Sequence, residues 1–300
     1  QKGKECVDFA ALVKLGAKAF TDDGVGVVAD EVMAKAFAAS AEFQVPLLQH
    51  AEFPGHGGVL AAGPIQEKLG IKPYPPTAES DMVARDLKLL KDYPGASYHV
   101  LHVSAEKTLE LIATAKQAGL KASCEVSPHH LLFCSSDIDG DNPAFKMNPP
   151  LRSERDRAAL RKGLADGTID FVATDHAPHE SAAKTANLKT SAFGTTGLEA
   201  SLKVLNTLCH QGELTPERLV AVFAQKPAEF LQITDEFGSI VEGRPLRALL
   251  LDPDSAPEPF QLPELWRSQS TNSCFVGAPL QGKIHQVFLG QGWLEVDRVP

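Results

Sequence analysis

The segment FVATDHAPHE, residues 171–180, carries an apolar run straight into Asp175, His176 and His179. Three other apolar runs end in the same way: AKAFTDD in Asp22 and Asp23, VPLLQHAE in His50, and SYHVLHVS in His102. Two imidazoles and two carboxylates converging on one point match the ligand preferences of zinc or a similar divalent ion. Each residue alone has a plainer explanation. A histidine at a strand end is commonly a hydrogen-bonded packing residue, and an aspartate there commonly caps the next helix. Those explanations would have to coincide four times, with the same strand polarity each time, so the joint pattern favours a metal site.

The other histidines divide unevenly. His99 precedes His102 by three positions in an extended run, so the two side chains point to opposite faces and only one can face a common centre. His129 and His130 follow Pro128 in a loop, where structural roles compete with substrate contact. His56, His210 and His285 read as surface or packing residues. His179, beyond Pro178, can fold back over the site and donate to a substrate.

The elements that would position these residues are legible from the pattern. AKAFTDD, VPLLQHAE, SYHVLHVS, KASCEVSP and TIDFVATDH are continuously apolar, as in strands buried on both faces of a parallel sheet. Helix-period segments separate them. Ser104 is expected to cap a helix with Leu109, Ile112 and Ala113 on one stripe and Gly119 at its end. Ser153 with Asp156 resembles a capping box ahead of Leu160 and Leu164, closed by Gly167. Thr215-Pro216-Glu217 places a cap before a first-turn proline, and Met82, Val83, Leu87 and Leu90 form another apolar face. Alternation of this kind predicts an α/β fold. Five units fall short of the eight of a closed (β/α)8 barrel, and an open doubly wound sheet needs no more than five. After about residue 235 a turn and strand at GSIVEGRPLRALLLDPD precede a surface stretch with Pro253, Pro257, Pro259 and Pro263. GKIHQVFLGQGWLEV then reads as a hairpin around Gly290-Gln291-Gly292.

Composition narrows the partners. The formal net charge of −9 over 300 residues argues against a general nucleic-acid or membrane-surface binder. The five cysteines are odd in number and contain no C-x-x-C, which disfavours a disulfide framework and points to a reducing cytoplasm. No apolar run reaches the roughly 18 residues that a membrane span requires, and no signal-peptide pattern is visible.

FVATDHAPH, EVSPHHLLF, KMNPPLRSERDRAAL, AFTDDGVGV and SAFGTTGLE closely resemble the bacterial class I dihydroorotases of the amidohydrolase superfamily, and the likeness runs along nearly the whole chain. The resemblance implies a (β/α)8 barrel with a composite β-sandwich, in which residues 1–235 are part of the barrel and 236–300 a segment of the sandwich. It implies zinc, as one or two ions, held by Asp23, His50, His102 and Asp175. Asp175 would also be the catalytic acid/base, with Asn148, His179 and the backbone at Phe193 and Gly194 touching substrate. The implied activity is interconversion of N-carbamoyl-L-aspartate and L-dihydroorotate, in a homodimer or in association with aspartate transcarbamoylase. The alternatives are a non-catalytic scaffold subunit of that transferase, or a hydantoinase- or allantoinase-type enzyme. The latter usually carry a carboxylated lysine where this chain has Thr21-Asp22-Asp23. The family's H-x-H motif and substrate arginine of the first strand are absent, and the chain opens on Gln1. The expectation is therefore of a piece comprising strands four to eight, without the first quarter to third of the protein.

Overall fold

A computed structural model of the chain describes residues 3–184, 187–262, 270–288 and 290–296. Five short strands, β1 (Phe20–Thr21), β2 (Leu47–Gln49), β3 (Tyr98–Val100), β4 (Ala122–Val126) and β5 (Phe171–Val172), form one sheet in chain order. All four pairings are parallel, with Phe20 opposite Leu47, Leu47 opposite Tyr98, Tyr98 opposite Ala122 and Glu125 opposite Phe171. A doubly wound sheet reverses its strand order at a switch point. Here each strand adds to the same side without reversal, which is how a (β/α)8 barrel grows. The sequence alone left that choice open; the strand order decides it in favour of part of a barrel.

Helices return the chain between strands. After α1 (Phe9–Lys14), α2 (Asp30–Phe43) links β1 to β2, and α3 (Pro64–Lys68) with α4 (Thr77–Leu90) links β2 to β3. The next crossovers use α5 (Glu106–Gln117), then α6 (Pro128–Leu132) with α7 (Glu154–Asp166). Beyond β5 come α8 (Leu198–His210), α9 (Pro216–Val220) and α10 (Lys226–Phe230). Met82, Val83, Leu87 and Leu90 of α4, Leu109 and Ile112 of α5, and Leu160 and Leu164 of α7 are all buried in one core with Tyr98, Val100 and Cys124 of the sheet.

The expected helix ends are found at α7 and α9. Ser153 and Asp156 form a reciprocal capping box, Gly167 ends α7 with φ +94°, and Thr215 accepts from the Arg218 amide at 3.2 Å. At α5 the expectation fails. Ser104 makes no capping bond there; its hydroxyl donates to Glu79 of α4, and the carboxylate of Glu79 accepts from the amides of Ser104 and Ala105 at 3.2 Å each. Asp156 accepts from the Glu106 amide at 3.0 Å. Carboxylates from neighbouring helices thus satisfy the orphan donors. A cap supplied across a packing interface leaves no local signature.

A second sheet follows. β6 (Ala248–Asp252) pairs antiparallel with β9 (Lys283–Phe288), and β9 pairs with β10 (Trp293–Glu295) as the expected hairpin. The proline-rich stretch is not merely surface: β7 (Glu258–Pro259) pairs with β8 (Pro279–Leu280), and Phe260 is buried. Pro263 lies outside the described residues. Phe275 is fully buried in the same core as the five-stranded sheet, so the segment between the small strands returns to the barrel.

Glu79 generates a prediction. It is 2% exposed, and the guanidinium of Arg152, itself buried, lies 3.6 Å from it. Glu79→Ala would leave a cation and two amides uncompensated, and should destabilise the protein by about 3–5 kcal/mol. Chemical denaturation measures this, and an unchanged midpoint would show that the network contributes no stability.

Candidate metal centre and substrate face

All the strand-end residues lie on the carboxyl side of the parallel sheet. Asp23 follows β1 by two residues, His50 follows β2 directly, His102 follows β3 by two and Asp175 follows β5 by three. Three of them meet. His50 Nδ1 and His102 Nε2 are 3.0 Å apart, and each lies 3.6 Å from Asp23 Oδ1. The ligand atoms of these three residues form the one such His/Cys/Asp/Glu group among the described residues. Donor atoms around a tetrahedral zinc, with bonds near 2.0–2.2 Å, stand roughly 3.3–3.5 Å apart. The carboxylate and two imidazoles therefore fit that ion in both donor type and spacing.

Asp175 stands beside this group without joining it. Its Oδ2 is 3.7 Å from His129 Nε2. Its backbone has φ +47° and that of His102 φ +32°, both in the left-handed region. Such conformations cost about 1–3 kcal/mol and persist where surrounding structure imposes them. Burial raises the Asp175 carboxyl to about 6; the charge of Asp23 adds to the rise, while His102 and His50 oppose it.

The electrostatics of the cluster follow from its partners. Hydrogen bonds from His102 and His50 hold Asp23 well below the usual carboxylate range. Burial alone would lower His50, but hydrogen bonds to Asp23 and Glu52 outweigh it and raise the imidazole to about 9. Glu52 Oε2 lies 3.1 Å from His50 Nε2, and a carboxylate can only accept, so Nε2 carries the hydrogen and Nδ1 faces the cluster. A carboxylate behind a histidine ligand fixes its orientation in this way. His129, fully buried, is pushed down to about 3 by desolvation, with His102 adding to the effect, and stays neutral.

The candidate substrate contacts come from two further loops. Asn148 Nδ2 donates to Glu52 Oε2 at 2.7 Å, and its buried Oδ1 has no partner among the described residues. His179 Nε2 donates to the Phe193 carbonyl at 2.6 Å. Gly194 has φ +126°, and a Cβ there would sit 2.5 Å from that of Ala177 and 3.0 Å from His179 Nε2, so a side chain is excluded. Lys184 binds the carbonyls of Ala192, Gly194 and Lys146 at 3.0, 2.9 and 3.3 Å.

Sequence reasoning missed Glu52, whereas His56, expected at the surface or in packing, does pack. Glu52 bonds His50, Asn148 and, at 2.6 Å, His56, whose ring packs 4.0 Å from that of Tyr74. His56 therefore has a partner close to the site. The available signal was the spacing: in an extended segment, positions 50 and 52 share a face. His99, as expected, points away from the cluster; it bonds Ser123 and Glu125 and stacks on Phe171. His210 packs against the Pro253 carbonyl at 2.7 Å.

Comparison with known proteins agrees with this architecture. The model of the amidohydrolase family matches residues 5–292. The chain is 43% identical over 284 residues to the dihydroorotase of Lactiplantibacillus plantarum, covering 94% of this chain and 65% of that protein. It is 39% identical to the dihydroorotase of Bacillus caldolyticus over 293 residues, 97% of this chain and 67% of that protein. The chain thus spans about two thirds of the length of these relatives. Among solved structures, a D-hydantoinase from Bacillus sp. AR9 superposes with a TM-score of 0.83 at 20% identity, covering 97% of this chain and 68% of that one. An L-hydantoinase from Arthrobacter aurescens gives 0.82 at 26% identity, covering 95% and 66%. With a parallel sheet in barrel order and a family match along almost its whole length, the chain belongs to the amidohydrolase family.

Proposed function

We propose that the protein is a zinc-dependent cyclic amidohydrolase that interconverts N-carbamoyl-L-aspartate and L-dihydroorotate, a step of pyrimidine synthesis. The observation that carries the chemistry is the His50–His102–Asp23 group at the carboxyl end of a parallel sheet, with Asp175 beside it. The identity of 39–43% to dihydroorotases, against 19–26% to the hydantoinases, supports the choice of substrate.

In this reading Asp23, His50 and His102 hold the ion, with Asp175 completing the ligand set; one or two ions are compatible with it. When bound, the metal supplies polarisation of the scissile carbonyl and acidification of the attacking water. Asp175 takes a proton from that water and delivers it to the departing ring nitrogen as the amide carbon–nitrogen bond breaks. In the synthetic direction it takes the proton from the attacking ureido nitrogen and returns it with the water that leaves. A single carboxylate suits both transfers because it can accept a proton and return it from one position. Asn148, with an acceptor oxygen unclaimed, and His179, next to the Phe193–Gly194 peptide, orient the substrate. His129 stays uncharged beside Asp175.

Five free thiols suit a cytoplasmic enzyme, and no helix among the described residues is long and apolar enough to cross a membrane. Association as a homodimer or with aspartate transcarbamoylase belongs to the same proposal and is read by the mass of the purified assembly.

Three outcomes test the reading on the full-length protein. Asp175→Asn should lower dihydroorotate hydrolysis by about 10²–10⁴-fold with the melting temperature retained, and an active variant removes Asp175 from proton transfer. His50→Ala should release zinc on dialysis, measured by atomic absorption; wild-type zinc content would take His50 out of the ligand set. A parent protein that hydrolyses hydantoin in preference to dihydroorotate would reassign the substrate.

A further inference from the structure

The loop after β5 has two arms. The outgoing arm runs from His176 to His179, and the returning arm from Phe193 to Gly197. The backbone pairs them once, Ala177 N–H donating to Thr195 O at 3.0 Å. A third segment, reaching back from the C-terminal part of the chain, ties both arms together through Asn272.

Asn272 is 8% exposed. Its Oδ1 accepts from the His179 amide at 3.1 Å, and its Nδ2 donates to the Ala177 carbonyl at 3.0 Å and the Gly194 carbonyl at 3.2 Å. Its own carbonyl accepts from the Thr196 amide at 2.9 Å and from Thr195 Oγ1 at 3.2 Å. A carboxamide has two donor hydrogens and one acceptor oxygen; here both hydrogens and the oxygen are used, on both arms of one loop. The two arms differ in how much they depend on it. The Gly194 carbonyl is also held by Lys184, and the Gly194 amide donates to Lys146 O at 2.8 Å. The His179 amide has Asn272 as its partner.

We propose that Asn272 is a positioning residue for substrate binding: it fixes the backbone of His179 so that the imidazole meets the Phe193 carbonyl and stands over the site. This rests on the reading of His179 as a substrate contact. Asn272 touches none of Asp23, His50, His102 or Asp175, so it should govern substrate affinity and leave the chemical step and the metal unaffected.

The test uses the full-length, zinc-loaded protein with Asn272→Ala, the isosteric Asn272→Asp, His179→Ala and the double variant Asn272→Ala/His179→Ala. Asn272→Asp fills the same volume and covers the case in which the alanine variant does not fold; it keeps an acceptor for the His179 amide but sets a carboxylate against the Ala177 and Gly194 carbonyls, so repulsion displaces the arm that carries His179. Both Asn272 variants should raise KM for L-dihydroorotate by roughly 10–100-fold, with kcat and zinc content nearly unchanged. In Asn272→Ala, amide hydrogen exchange should accelerate at His179 and stay at the parent rate at Gly194. The double variant should be no worse than His179→Ala, because the two residues act through one contact. If His179→Ala raises KM while both Asn272 variants leave it unchanged, the positioning role is overturned and the substrate reading stands. If His179→Ala itself leaves KM unchanged, the substrate reading falls and the proposal with it. A fall in kcat accompanied by zinc loss in both Asn272 variants would assign the residue a general structural role and overturn the proposal.

Discussion

Parallel hydrogen bonding in chain order is the constraint on which the rest of this structure depends. Every strand from β1 to β5 runs in the same direction, so every loop that leaves a strand leaves from the same edge. Asp23, His50, His102 and Asp175 are far apart in the chain and reach that edge because each sits just past a strand. Asn148 and His179 sit in the longer loops behind β4 and β5. An antiparallel sheet would have sent alternate residues to opposite ends. The left-handed backbone at His102 and Asp175 is a local cost of this arrangement, since the chain must turn sharply at the strand end to keep the side chain over the centre.

Charge placement is the second constraint. Asp23, His50 and His102 shift one another: Asp23 is depressed, His50 is raised, and the ring nitrogens of His50 and His102 lie 3.0 Å apart. A divalent ion entering that group competes with a proton on His50, so its binding releases protons and weakens as the solution becomes acidic. Glu52 works in the other direction. By accepting from His50 Nε2 it turns Nδ1 toward the centre, and by accepting from Asn148 it ties a candidate substrate contact to a candidate ligand.

Much of the barrel was legible in the sequence because its signals are local. Continuous apolar runs marked all five strands, and the caps at Ser153 and Thr215 are formed by residues adjacent to the helices they start. What was not legible depends on contacts across the fold. Ser104 carries the composition of a cap yet bonds Glu79, because a buried carboxylate 25 positions away satisfies the same amides. The strand order that separates a barrel from a doubly wound sheet is likewise a property of pairing, and five strands in sequence are equally consistent with both. Of the site, the strand-end positions were legible by polarity alone. Glu52 lies two residues from His50 on the same face, and that spacing is its local signal. Asn272 had no signal at all, since nothing near it in sequence points to a loop some 90 positions earlier.

Buried polar contacts also tie the loops of this face to one another. Arg152 Nε donates to Ser104 Oγ at 2.7 Å, and its guanidinium lies over the ring of Tyr74, 5.2 Å from the ring centre. Ser104 is two residues beyond His102, and Arg152 is four beyond Asn148, so this arginine joins the turn bearing a candidate ligand to the loop bearing a candidate substrate contact. Desolvating Arg152 and Glu79 is expensive, and an apolar pair of similar volume would often be as stable or more so. Apolar packing, however, tolerates small slides between segments, whereas hydrogen bonds lose most of their strength with a modest error in distance or angle. A site of the proposed kind, needing its groups placed to within about half an ångström, would gain more from that directional stiffness than it loses in stability. The same argument applies to Asn272 on the other side of the face: in both places the fold accepts a buried polar group where position matters more than burial energy.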